Sequence, residues 1–163
     1  MADATTIFER LKQDHERQRT LLEKIEQTHG ESEERARLFE QFTVDAKSHA
    51  AAEEQALYST MMRKPPTTGE TRHSVAEHHE IEEALNDIAA TDMSSSAWLT
   101  KFKQLKHDYL HHIDEEEDDH FPDFARYLDE EDVEHMEHVF ERRKDAEEED
   151  AEVTPESRDE AKE

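Results

Sequence analysis

HAAAEEQALY at residues 49–58 and HIDEEEDDHF at residues 112–121 decide the fold. Each opens on a histidine and carries a glutamate four residues later, Glu53 in the first and Glu116 in the second. The two stretches stand 63 residues apart, and the same offset relates residues well upstream of them. His15 pairs with His78, Leu22 with Leu85, Ile25 with Ile88 and Phe39 with Phe102. The chain therefore reads as two copies of a helical hairpin.

Apolar residues support that reading. Phe8, Leu11, Leu22 and Ile25 recur at steps of three, four or seven, as do Phe39, Phe42, Leu57 and Met61. Val75, Ile81, Leu85 and Ile88 mark a third helix, and Trp98, Phe102, Leu105 and Ile113 a fourth. No stretch alternates with period two for long enough to form a strand. Breaks fall at Thr28 to Gly30, at Arg63 to Gly69 and in the Ser-rich turn Thr91 to Ser96, which can cap the fourth helix. Pro122 is expected to end or kink that helix near Phe121. A short fifth helix is expected over 130–144. From Asp145 to Glu163 ten acidic residues face two basic ones, a composition that predicts a disordered acidic tail. The expected architecture is an all-α, up-down-up-down four-helix bundle over 1–144, with a tail over 145–163.

Composition narrows the function. The 163 residues hold 20 Lys+Arg against 45 Asp+Glu, a formal charge of −25. A phosphate backbone is bound by clustered basic residues, so neither nucleic acid nor an anionic membrane is an expected partner. With no cysteine, disulfides, thiolate metal sites and a Cys nucleophile are excluded. Two glycines are too few for a phosphate-cradling loop. No apolar run reaches the ~20 residues that span a bilayer, and MADATTIFERLKQDHER lacks the layout of a signal peptide. A cytoplasmic protein is expected, monomeric or weakly dimeric, with its acidic tail a candidate surface for a protein partner.

Twelve histidines carry the chemistry. His15, His49, His78 and His112, together with Glu53 and Glu116, all fall on the apolar stripe of their helices. Inward carboxylates without a partner are costly, and two of them repel. Two inward glutamates among four inward histidines call for cations. In H-x-x-x-E the two side chains lie about 6 Å apart along one helix face, close enough to reach one centre. A hairpin repeat converges all six at mid-bundle, enough for two metals.

This pattern resembles the hemerythrin-like, or HHE cation-binding, domain family. The resemblance rests on the order His15, His49-x-x-x-Glu53, His78, His112-x-x-x-Glu116 and on the strings HAAAEEQALY and HHIDEEEDDHFP, and it spans about Phe8 to Leu128. It implies a four-helix bundle around two non-haem iron ions with an oxo or hydroxo bridge, the Glu side chains bridging the metals. Carried over, the six residues are the expected ligands. The oxygen-carrying hemerythrins use five His and two carboxylates. One His fewer stands in register here, which points away from simple reversible oxygen carriage.

The remaining polar residues divide. Tyr109 lies three residues before His112 on the site-facing phase, and its repeat partner is Ala46. It is the candidate catalytic residue, a phenol able to hydrogen-bond a metal-bound oxygen or to ligate iron directly. His73 and His120 are candidate extra ligands; His79 and His111 turn off the stripe; His29, His107, His135 and His138 read as surface residues. A competing E-x-x-H pattern, Glu70/His73 and Glu117/His120, fails on Glu70, which follows a Pro-Pro loop. The expected function is a di-iron protein that binds or reacts with O2, H2O2 or NO, peroxide decomposition included. The alternative is a sensor or storage module without turnover.

Overall fold

The computed structural model describes residues 5–150. Among them the chain is all helix, with no strand. Five long helices make up most of it: α1 (Thr5–Glu26), α2 (Glu33–Glu53), α3 (Thr68–Ala89), α4 (Ser96–Glu115) and α5 (Glu130–Asp150). Local chemistry sets the breaks. Gly30 takes a φ of +55°, which L side chains rarely adopt, and turns α1 into α2. Ser32 and Ser95 cap α2 and α4, their side chains accepting from the backbone N–H of Arg35 and Trp98. No helix among the described residues is long and apolar enough to cross a membrane.

Neither α2 nor α4 ends where it meets its glutamate. A π turn, Glu54–Tyr58, continues α2, and another, Glu116–His120, continues α4. In each, an N–H donates five residues back, from Ser59 to Glu54 and from Phe121 to Glu116. Pro122 therefore does not stop the fourth helix at Phe121. It falls in the first turn of a further segment, Phe121–Ala125, that follows directly on the π turn.

α1 packs on α2, α2 on α3, α3 on α4 and α4 on α1. Their apolar faces build two separate clusters. One holds Leu22, Phe42, Leu85, Trp98 and Phe102; the other holds Phe8, Leu11, Leu57, Met61 and Phe124. Along α1 and α2 the polar residues Asp14, His15, His49 and Glu53 fall between the two, so a buried polar layer divides the core.

The fifth helix corrects the sequence-based expectation. It is not short: it runs to Asp150, so residues 145–150 are helical rather than part of a tail, and 151–163 lie outside the described residues. Two forces extend it. Val133, Met136 and Phe140 are fully buried against α1 and α2, at about 1.5–3 kcal/mol each. Past them, Arg143 pairs with Glu147 at 2.7 Å and Lys144 with Glu148 at 3.8 Å, one turn on.

Candidate metal centre

The polar layer holds all six residues of the repeat. His15, His49, His78, His112, Glu53 and Glu116 are buried, one from each of α1 and α3, and two each from α2 and from α4 with its π turn. The imidazoles form two pairs, His15 with His49 and His78 with His112, ring centroids 5.0 and 4.9 Å apart. The carboxylates lie between the pairs. Glu53 puts Oε2 3.5 Å from His49 Nε2 and Oε1 3.1 Å from His78 Nε2. Glu116 puts Oε2 3.7 Å from His15 Nε2, and Oε1 3.6 Å from His78 Nε2 and 2.5 Å from His112 Nε2. Each glutamate thus offers one oxygen to each imidazole pair.

These atoms are not satisfied by one another. Both oxygens of Glu53 and of Glu116, and Nε2 of His15 and His49, are buried without a hydrogen bond. Four such oxygens in one layer are costly unless a cation sits among them. Within this layer two sets of atoms converge closely enough to hold a metal: Glu53, His78, His112 and Glu116, and His15, His49 and Glu53. Imidazole nitrogen with carboxylate oxygen is a donor set for first-row divalent metals.

The opposite ring nitrogens complete the design. Asp14 Oδ2 lies 2.8 Å from His49 Nδ1, Glu117 Oε2 2.7 Å from His15 Nδ1 and Glu77 Oε1 3.0 Å from His112 Nδ1. Glu54 Oε1 stands 3.5 Å from His78 Nδ1, which is buried without a hydrogen bond. The hydrogen-bonded carboxylates Asp14, Glu117 and Glu77 are placed to orient their imidazoles and raise their basicity toward a metal. Sequence reading missed all four, though the repeat carries them: Asp14 and Glu77 precede His15 and His78, while Glu54 and Glu117 follow Glu53 and Glu116.

Lys144 was missed for another reason. It reaches from α5, 3% exposed, to donate to Asp14 Oδ1 at 2.6 Å. Nothing in a helix ending near Lys144 marks it as inward. Asp14 is the most connected of the orienting carboxylates, receiving Arg10 and Arg17 as well. Asp14→Asn is expected to weaken metal binding about 10–100-fold, measured by competition with a chromophoric chelator; unchanged affinity would make the Asp14–His49 contact incidental.

Electrostatics follow the same geometry. Burial works against a charged His49, but Asp14 and Glu53 outweigh it and raise its pKa to about 9. Burial likewise opposes charge on His112, and Glu116 and Glu77 raise it to about 9. Burial would push Glu116 up, yet His112, His78 and His15 hold it well below the usual carboxylate range.

The other sequence candidates separate. Tyr109 is buried beside the layer, its ring 6.4 Å from His112 and its hydroxyl donating to Gln18. Gln18 in turn donates to Asp45 at 2.9 Å. A second phenol, Tyr58, was missed by sequence. Its hydroxyl is buried without a hydrogen bond and its ring lies 5.6 Å from His78. Tyr58 closes the π turn after Glu53, and the wider turn swings it off the phase that 3.6-residue counting assigns. His120 is buried with Nδ1 2.9 Å from Ser74 Oγ, outside the two converging sets. His73, His79, His111, His29, His107, His135 and His138 are exposed. Glu70 and Glu117 join neither set, Glu117 being engaged with His15.

A cleft of about 670 Å3 runs between α2 and α3 and reaches the layer at His49, His78 and His112. Ala46, Ala50, Val75, Ile81, Leu85 and Tyr109 supply much of its wall.

Known proteins bear on this geometry at one level. The family described as Hemerythrin HHE cation binding domain matches the chain over residues 6–124. No curated protein and no solved structure matches it.

Proposed function

Because this chain belongs to the hemerythrin HHE cation-binding domain family, we propose that its central layer holds two non-haem iron ions and that the protein binds or reacts with O2, H2O2 or NO, peroxide decomposition included. One observation carries the reading. Glu53 and Glu116 each present one oxygen to either histidine pair, and none of those four oxygens has a hydrogen bond. Two carboxylates spanning two imidazole pairs suit a bridged pair of ions better than a single one. The up-down-up-down order belongs to the same reading and is supported by the cycle of packed neighbours, α1–α2–α3–α4–α1.

Iron would supply the redox chemistry when bound. Asp14, Glu117 and Glu77 would keep the Nε2 atoms of His49, His15 and His112 turned inward. The cleft would admit a small molecule past apolar side chains that share the wall with charged ones, Lys47, Arg72 and Arg143 among them. Tyr109, on that wall and without a phenol at its repeat partner Ala46, would make the two halves unequal.

The second reading is a sensor or storage module without turnover. It gains support from the Tyr109 hydroxyl, which is already donated to Gln18 rather than free for a proton transfer. Metal analysis and visible spectra of natively purified protein, before and after azide and peroxide, separate the readings. The di-iron proposal expects two irons per chain and bands that shift on addition. Oxygen evolution from peroxide selects turnover; shifted bands without it select binding alone. Zinc, or no metal, in a folded protein would overturn both. Tyr109→Phe is expected to alter the bands or the peroxide response, and unchanged spectra and rates would remove Tyr109 from the proposal.

A further inference from the structure

A second group of ligand-type side chains gathers on the outer edge of the α3–α4 interface. His73 and Glu77 stand one turn apart on α3. Glu115 ends α4, and His120 closes the π turn five residues on, where the wider turn returns it toward the face of Glu115. His73 Nε2 lies 3.3 Å from Glu77 Oε1 and 3.2 Å from Glu115 Oε1. His120 Nε2 lies 3.3 Å from that same Glu115 oxygen. The two rings approach edge to face, centroids 6.2 Å apart. Two imidazoles from different helices therefore converge on one carboxylate oxygen.

His120 is the informative member. It is 4% exposed, and Ser74 Oγ holds its Nδ1 at 2.9 Å, leaving Nε2 directed at Glu115. This repeats the arrangement of the central imidazoles, with one ring nitrogen held by an oxygen and the other presented. His73 opposes it from the surface, its side chain 53% exposed, so the group faces solvent on one side.

We propose that His73, Glu77, Glu115 and His120 form a peripheral site for one divalent transition-metal ion. Two imidazoles select against Mg2+ and Ca2+, which prefer oxygen, and two carboxylates neutralise the ion. His73, Glu77 and Glu115 already place one ligand atom each within reach of a common ion. The site touches the central layer through Glu77, whose Oε1 also lies 3.0 Å from His112 Nδ1. An ion bound outside draws on the oxygen that orients His112, so peripheral occupancy and the central site are coupled. The proposal does not depend on how the central layer is filled.

Equilibrium dialysis of the full chain against Zn2+, with millimolar Mg2+ to occupy carboxylate-only surface sites, counts the ions. His73→Ala and Glu115→Gln each change a side chain that is not in the central layer, and circular dichroism checks their fold. The expected result is three zinc ions in the wild type and two in each variant. If the central layer binds nothing, the expected result becomes one ion in the wild type and none in the variants, so the two readings fail separately. Equal zinc in all three proteins would overturn the peripheral site. A third ion displaced by Mg2+ would also overturn it, as adventitious binding to the acidic surface.

Discussion

If the central layer holds the two ions proposed, Glu53→Gln is expected to strip both, whereas His15→Ala removes or weakens only one. The reason is the position of Glu53 between the two converging sets. It is the residue common to both, with Oε2 facing His49 and Oε1 facing His78. An amide keeps the shape but loses the charge and turns one oxygen into a donor, so both halves lose a ligand at once. The loss in affinity should exceed the 10–100-fold typical of removing an orienting partner. Metal content by atomic emission, with helicity by circular dichroism, checks it. Folding is not the expected casualty, because removing the charge also relieves its repulsion by Glu116. A folded Glu53→Gln protein that retains one ion would show that the two sets do not share this carboxylate.

Removing metal from the wild type is expected to lower Tm by roughly 8–16 °C. At a thousandfold excess of free metal over Kd, linkage contributes about 4 kcal/mol, and each kcal/mol shifts a domain of this size by about 2–4 °C. The effect should grow with pH, and the sign follows from the layer. In the metal-free protein His49 and His112 have pKa values raised from 6.5 to about 9. Their stabilisation is fully present below pH 6.5 and is lost as pH rises through 9. Glu116 is held below its ordinary 4.5, so its share is present above 4.5 and lost in acid. The metal-free form is therefore most stable between about pH 4.5 and 6.5. Metal binding runs the other way between 6.5 and 9, since it requires neutral imidazoles. Calorimetry of both forms at pH 6, 7, 8 and 9 should show the difference in Tm widening as pH rises. A constant or shrinking difference would mean that the imidazoles do not exchange protons for metal.

Much of this centre was legible before any fold was known. The 63-residue repeat and the inward phase of His15, His49, Glu53, His78, His112 and Glu116 identified the layer, and the structure buries all six together. The orienting carboxylates were written in the same repeat but looked solvent-facing, because Asp14 and Glu77 sit about 100° off the stripe of the histidines beside them. Tyr58 and His120 were harder. Counting at 3.6 residues per turn holds only while every hydrogen bond spans four residues, and the π turns after Glu53 and at Glu116 break that rule.

By itself the sequence determined the helical class, the two-hairpin repeat and the six residues of the central layer, because those follow from local periodicity and from the cost of burying unpaired carboxylates. Tertiary structure decided what periodicity cannot express. It set which oxygen of each glutamate faces which histidine pair, and it brought α5 against α1 so that Lys144 meets Asp14. It also gathered His73, Glu77, Glu115 and His120 at one edge. The cross-helix contacts among these, Glu53–His78, Lys144–Asp14 and His73–Glu115, join helices whose separation along the chain carries no phase information, and they arise only when the apolar faces pack and the side chains between them must find partners.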